Sequence, residues 1–249
     1  MTHDLPPRPE RFTQTNGKGI LELRGSGLEI GLWVAGLPLV FDAADCGGSV
    51  GRFTILLNGA ARPEIDAQIA RDAAQGFSAA RSLADAVRPL LDLMPNANYD
   101  LSLQTLRYGA GRGGLVDWHD HQMNPRGGKA WVFADGPVLI FTQPYDSLDD
   151  ETILNYAYAI ESGAQPAAIV WTARSETAQF VLDGHHKFAA YWLLKRDAAM
   201  LLIESEPTQA VSLAQARALM PESEYPEYVR YKELMEKNLL QRIKDRLDL

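Results

Sequence analysis

Two tight histidine pairs are the first features of this sequence that suggest chemistry. The chain has only five histidines, and four of them occur as His119/His121 and His185/His186. An imidazole exchanges a proton near neutral pH, donates hydrogen bonds and binds transition metals. Each pair is therefore a candidate for a binding or catalytic site.

The later pair lies at a predicted junction between a strand and a helix. An apolar segment runs into Asp183-Gly184 and then into an amphipathic segment that begins near His186. A glycine permits a sharp turn, and the free N–H groups in the first turn of a helix favour an anion. We predict a phosphate-binding turn formed by Gly184, His185, His186 and Lys187. The catalytic candidates are Asp183, His185 and His186.

A structural interpretation of the same turn stays open. In it, Asp183 caps the helix and both histidines lie on a solvated first turn. Adjacent residues on a helix point about 100° apart, so we expect only one imidazole, that of His185, to face a ligand. The acidic residues between 146 and 151 offer either Mg²⁺ ligands or a helix cap.

The earlier pair belongs to the segment 117–121. On a strand, Asp117, His119 and His121 project from one face and form a three-ligand set for zinc, iron or manganese. The spacing also resembles the first motif of the cupins, although the acidic residue that follows four or five positions later in that motif is missing. A surface loop and a loop that serves the phosphate site are the alternative interpretations.

The elements that position these residues follow from periodicity. Alternating residues predict strands over 19–57, with a hairpin turn near Gly25, and a further strand over 99–108. Apolar residues at helical spacing predict a helical stretch over 63–94, which Gly76 and Pro89 interrupt. A capping box at Ser147 predicts a helix that ends at Gly163. Strands over 167–172, 178–182 and 199–204 surround a helix over 186–195. The predicted fold is α/β (α+β) with a mixed sheet.

We predict three regions. A strand-rich α+β region covers 1–136, a nucleotide-binding module covers 137–206, and a helical tail covers 207–249. The tail carries two helical patterns split by Pro221 and Pro226, and its last helix is a candidate for packing on the module or for forming a homodimer.

The later module resembles the ParB/sulfiredoxin superfamily. The resemblance rests on Asp183-Gly184-His185-His186-Lys187, which is similar to the turn of ParB-like and free-serine-kinase-like members, and it extends over about residues 140–205. It implies that nucleotide phosphates bind at 183–187, with phosphoryl transfer or nucleotide-controlled switching as the activity. Lys187 stands where arginine is usual, which keeps the charge but loses bidentate geometry. Cys46 is distant in sequence, which disfavours the sulfiredoxin reaction.

The composition of the chain limits the classes of partner that we expect it to bind. The chain has 249 residues, 24 Lys plus Arg and 32 Asp plus Glu, which gives a formal net charge of −8. This charge disfavours nucleic acid as a partner, because nucleic-acid binders carry basic patches. The single cysteine excludes a disulfide within the chain. No secretory signal and no apolar run long enough to cross a bilayer is evident, so we expect a cytoplasmic protein.

The functional hypothesis is a protein that binds a nucleotide (ATP, ADP or CTP) with Mg²⁺ and catalyses phosphoryl transfer or nucleotide hydrolysis at 183–187, with an unknown acceptor. One alternative is a nucleotide-regulated interaction module without turnover. Another is a metal-dependent enzyme that uses Asp117, His119 and His121.

Overall fold

The chain is an α/β protein with two β-sheets, as its sequence predicts. The computed structural model describes residues 9–26, 29–44, 51–57, 67–78, 81–108, 128–131, 138–143 and 147–219. Contacts divide the chain into two compact units, Met1–Val211 and Ser212–Leu249. Both sheets belong to the first unit.

The larger sheet is mixed and has six strands. In spatial order they are β1 (Glu10–Gln14), β6 (Ala97–Leu106), β11 (Ala198–Ser205), β9 (Ala168–Ala173), β10 (Ala178–Asp183) and β8 (Val138–Phe141). The pairs β11–β9 and β10–β8 are parallel, and the other three pairs are antiparallel. β6 and β11 are the two longest strands of this sheet, and they pair with each other.

The smaller sheet is antiparallel and has five strands. In order they are β2 (Leu21–Ser26), β3 (Glu29–Val34), β4 (Leu37–Ala44), β5 (Gly51–Leu56) and β7 (Gly128–Trp131). β2 and β3 pair directly along the chain, which confirms the hairpin predicted near Gly25.

Six helices accompany the sheets in the described residues. They are α1 (Ala67–Gln75), α2 (Leu83–Ala86), α3 (Arg88–Leu91), α4 (Asp150–Glu161), α5 (His185–Leu193) and α6 (Leu213–Leu219). The first five lie in the first unit and α6 lies in the second. None of these helices has the length and apolar character that a membrane span needs.

The mixed sheet is buried on both faces. Alternate side chains of each strand point to opposite faces, so each strand contributes to two cores. One face packs against the smaller sheet and α1–α3. It presents Ile169, Trp171, Phe180, Leu201 and Ile203 to Leu21, Leu23, Ile30 and Leu32. The other face packs against α4 and α5. It presents Val170, Val181, Leu202 and Phe141 to Ile153, Ala157, Phe188 and Tyr191.

Several local predictions need correction. The stretch 63–94 forms separate short helices: α1 ends before Gly76, and Pro89 lies in the first turn of α3, where its fixed φ suits a helix start. The cap of α4 is Asp149 and not Ser147, because the Asp149 carboxylate accepts the N–H of Thr152. The segment α5 begins at His185 and ends at Leu193.

The boundary predicted at residue 136 does not separate two folded regions. β1 and β6 lie before it in sequence, yet β6 pairs with β11 over seven residues of register from Ala198↔Leu106 to Glu204↔Asp100. Such non-local pairing leaves no mark on the local composition that suggested the boundary. Of the predicted tail, only residues up to 219 are described, so its last helical pattern lies outside the described residues.

The β1–β6 edge carries a charged cluster centred on Asp100. Arg11 donates to Asp100 over 2.7 Å, and Arg174 approaches the second carboxylate oxygen at 2.6 Å. The hydrogen bond from Arg11, followed by that from Arg174, lowers the pKa of Asp100 from 3.8 to about 2, against the effect of burial. Because the folded state favours the ionised carboxylate, Asp100 stabilises the fold above pH 4 and loses this contribution as the pH falls towards 2.

We therefore expect the Arg11→Ala variant to raise the pKa of Asp100 towards its ordinary value. Carbon-13 NMR titration of the carboxyl group measures this pKa directly. Arg107→Ala, which removes an exposed arginine at the end of β6, is the control and should leave the pKa unchanged. An Asp100 pKa that is the same in Arg11→Ala and wild type would contradict the assignment of Arg11 as the main cause.

Candidate functional site

The predicted phosphate turn is a tight junction between β10 and α5. Gly184 caps the N-terminus of α5 with φ of 97°, a left-handed conformation that favours glycine. A Cβ at this position would lie 2.7 Å from both Cα and Cβ of Ala168. The inner side of the turn is therefore closed by β9. Only Asp183 and His186 are partly exposed along 183–187.

Lys187 points back into the protein and does not extend into solvent. Its side chain is 3% exposed, and its Nζ donates to Asp183 Oδ2 over 2.7 Å and to the carbonyl of Ala167 over 3.1 Å. The ammonium also lies 5.9 Å from the centre of the Tyr156 ring. Burial, with a smaller effect from the charge of Asp183, raises the pKa of Tyr156. The positive charge of the turn is thus neutralised by the chain itself.

His185, the first residue of α5, is buried. Its Nε2 accepts the backbone N–H of Thr142 at 3.1 Å, and the Thr142 hydroxyl, which donates to the carbonyl of Val181, lies 3.2 Å from the same nitrogen. The ring also packs against Phe141, with 5.1 Å between centroids. Since Nε2 accepts an N–H, it carries no proton. His185 therefore faces the core and not a ligand, contrary to the prediction.

His186 is the partly exposed member of the pair. Its Nε2 accepts the backbone N–H of Asp149 at 3.0 Å. The Asp149 carboxylate in turn accepts from the side chain and the backbone N–H of Thr152, and these bonds lower its pKa. His186 thus joins the N-terminus of α5 to that of α4.

The two adjacent imidazoles accept hydrogen bonds from the two ends of the connection between β8 and α4. His185 accepts from Thr142 at the end of β8, and His186 accepts from Asp149 at the start of α4. Sequence reasoning missed both backbone partners, because nothing in a sequence marks which N–H groups an imidazole accepts. It also missed the Lys187–Asp183 pair, which joins the end of β10 to the first turn of α5.

The second predicted site lies outside the described residues. Asp117, His119 and His121 all belong to the segment that the structure leaves undescribed. In the part of the chain that is described, no group of three or more His, Cys, Asp or Glu side chains is arranged to hold a metal ion. The transition-metal hypothesis therefore stays a prediction.

Comparison with known proteins identifies no relative: no family model, curated protein or solved structure matches this chain. The resemblance of 183–187 to the ParB/sulfiredoxin superfamily accordingly stays a prediction from the sequence.

The closed inner side of the turn predicts a large loss of stability in Gly184→Ala. Gly163 is a matched control, because its φ of 98° equals that of Gly184 within a degree and an added Cβ meets nothing within 4 Å. Gly163→Ala should lose about 1 kcal/mol, the usual cost of a left-handed conformation. Gly184→Ala should lose about 2 kcal/mol more, because Ala168 must move. Urea unfolding measures both, and equal losses would contradict the close packing on Ala168.

The ion pair between the buried Lys187 and the partly exposed Asp183 predicts that Lys187 stabilises the fold. Lys187→Met removes the partner of Asp183 and the donor to the carbonyl of Ala167, and it should lower the free energy of unfolding by about 2 kcal/mol, the usual contribution of a hydrogen bond to a charged group. Lys195→Met changes an exposed lysine just beyond α5 and should have little effect. Urea unfolding again gives the comparison. Equal midpoints for the two variants would show that Lys187 contributes no more than a surface lysine.

Proposed function

We propose that this protein binds a Mg²⁺-nucleotide as a regulatory ligand and does not turn it over. The observation that supports this proposal is the joining of two helix N-termini by His186, whose Nε2 lies 3.0 Å from the Asp149 nitrogen. The partial positive charge of each helix N-terminus favours an anion there. The ligand would reach this edge from outside, where Asp183 and His186 are partly exposed.

The N-terminus of α5 has no side-chain cap. Its cap residue is Gly184, which has no side chain, and no side-chain cap bond is made. By contrast, the N-terminus of α4 is capped by Asp149. A phosphate group would therefore interact mainly with the outer side of the first turn of α5.

The charges at this edge favour a nucleotide that arrives with its metal ion. Asp149, whose backbone N–H donates to His186, and Asp183, three residues before His186, are acidic residues at this edge. Lys187 pairs with Asp183, so the Asp149 carboxylate is the one that would repel bare phosphate. Mg²⁺ is commonly held by one or two carboxylates together with substrate phosphates. These two carboxylates fit that role, and the ion would offset their charge towards the phosphates.

The geometry favours binding over catalysis. Phosphoryl transfer depends on charge stabilisation and positioning at the transferred group. Lys187 is bonded to Asp183 and Ala167, and the Nε2 of His185 is bonded to Thr142. His185, one of the catalytic candidates, and Lys187, one of the phosphate-binding candidates, are thus engaged in structural bonds.

Calorimetric titration with ATP, ADP and CTP, with and without Mg²⁺, tests the proposal. We expect saturable binding of at least one nucleotide that needs Mg²⁺, and no product on chromatography of the nucleotide after incubation. His186→Glu places a negative charge on the first turn and should weaken binding about tenfold or more, a change of about 1.4 kcal/mol. Ala189→Glu, one turn further along the same helix and equally half-buried, is the matched control.

The outcomes separate the hypotheses. Binding without product supports a regulatory ligand. Conversion of the nucleotide would overturn that part and favour the phosphotransferase or hydrolase prediction. Failure of all three nucleotides to bind, or equal weakening by His186→Glu and Ala189→Glu, would remove the proposed edge as a nucleotide site.

A further inference from the structure

A continuous row of polar residues crosses the helix-facing side of the mixed sheet beyond the apolar core. The register places five residues side by side on neighbouring strands, in the order Arg11, Asp100, Glu204, Thr172 and Gln179. The next row in the sheet contains Leu202, Val170 and Val181, which pack under α4 and α5. The polar row is therefore distinct from the apolar surface that the helices cover.

Two members of this row have unmet hydrogen-bonding capacity. Gln179 is 5% exposed, and its Oε1 is buried without a partner. Leaving a buried acceptor unsatisfied costs about 1–3 kcal/mol. Glu204, two strands away, is half-buried, and its side chain has no hydrogen bond or ion pair to another described residue. Both groups present acceptor oxygens.

Thr172, which lies between them, also presents an acceptor. Its hydroxyl hydrogen is directed to the carbonyl of Ala178, at 2.7 Å, so the lone pairs of Oγ1 remain to accept. Neighbouring strands lie about 4.8 Å apart, so the three side chains stand next to one another on one face of the sheet. Glu204, Thr172 and Gln179 thus form a set of three acceptors.

The surrounding charges leave this set negative. Arg11 and Arg174 bond to Asp100, the cross-strand neighbour of Glu204, and Arg174 also bonds to Glu206, so these two positive charges are offset by two carboxylates. The charge of Glu204 is not offset in this way. A ligand that supplies three donors and one positive charge matches the set, and a primary ammonium group has both properties.

We propose that Glu204, Thr172 and Gln179 form a binding site for a primary ammonium group. The site lies about 13 Å along β10 from Asp183, at about 3.3 Å per residue, and is independent of the nucleotide edge. Glu204 supplies the charge at the partly exposed side, and Gln179 supplies the buried acceptor. The ammonium group belongs either to a small free amine or to a lysine side chain of a peptide.

The test is an NMR titration of the intact protein, followed through the side-chain amide of Gln179 and the backbone amide of Thr172. The probes are n-butylammonium for a free amine, the peptide Gly-Lys-Gly for a lysine side chain, and n-butanol as the uncharged control. We expect saturable shifts with at least one of the two amines and none with n-butanol. The amine that saturates the shifts at the lower concentration shows whether the site prefers a small free amine or a lysine side chain.

Substitutions give matched controls. Glu204→Gln and Gln179→Leu should each weaken amine binding about tenfold. Glu161→Gln on α4 and Gln104→Leu on β6, which change exposed residues of the same two types, should leave it unchanged. Absence of saturable shifts in wild type, or equal weakening by the control variants, would overturn the proposal.

A second measurement does not depend on the ligand. Gln179→Leu replaces an unsatisfied buried amide by an apolar side chain of similar size, so its urea midpoint without ligand should be higher than that of wild type. A lower midpoint would show that Gln179 already contributes a stabilising bond in the free protein, and it would remove the reason for assigning a ligand to it.

Discussion

Burial of the mixed sheet on both faces is the constraint on which the rest of the structure depends. Its central strands supply apolar side chains alternately to two cores, so a shift of register by one residue would exchange the two sets. The smaller sheet and the helices α4 and α5 are needed because each covers one of these faces. Where the helix layer ends, the same alternation produces the polar row that includes Glu204.

The junction between β10 and α5 shows how residues suited to catalysis become structural. Lys187, His185 and His186 each bond to a group on another part of the chain or to a residue four positions away. These bonds connect β8, β9, β10 and α4 around one turn. The outer side of the junction is the part that stays open to solvent, where Asp183 and His186 are partly exposed.

Sequence patterns predict the central part of this fold well and its long-range organisation poorly. The strands β9, β10 and β11 were predicted within one or two residues, because apolar runs between turn residues are local signals. The sequence does not predict the pairing of β6 with β11, since the register between strands about 100 residues apart has no local signature. Likewise, the sequence predicts the turn at Gly184 but not the inward direction of Lys187, which depends on acceptors at Ala167 and Asp183 that the fold brings together.

The position of β6 also has a consequence for how the chain folds as it is synthesised. β6 joins β1 to β11, and its second partner is completed only at Ser205. Until then, one edge of β6 has no neighbour with which to share its backbone hydrogen bonds. Closing such a distant contact is slow, and an unpaired strand edge is prone to association with other chains. A ribosome-bound chain that stops before residue 198 is therefore the form that most needs the protection of a chaperone.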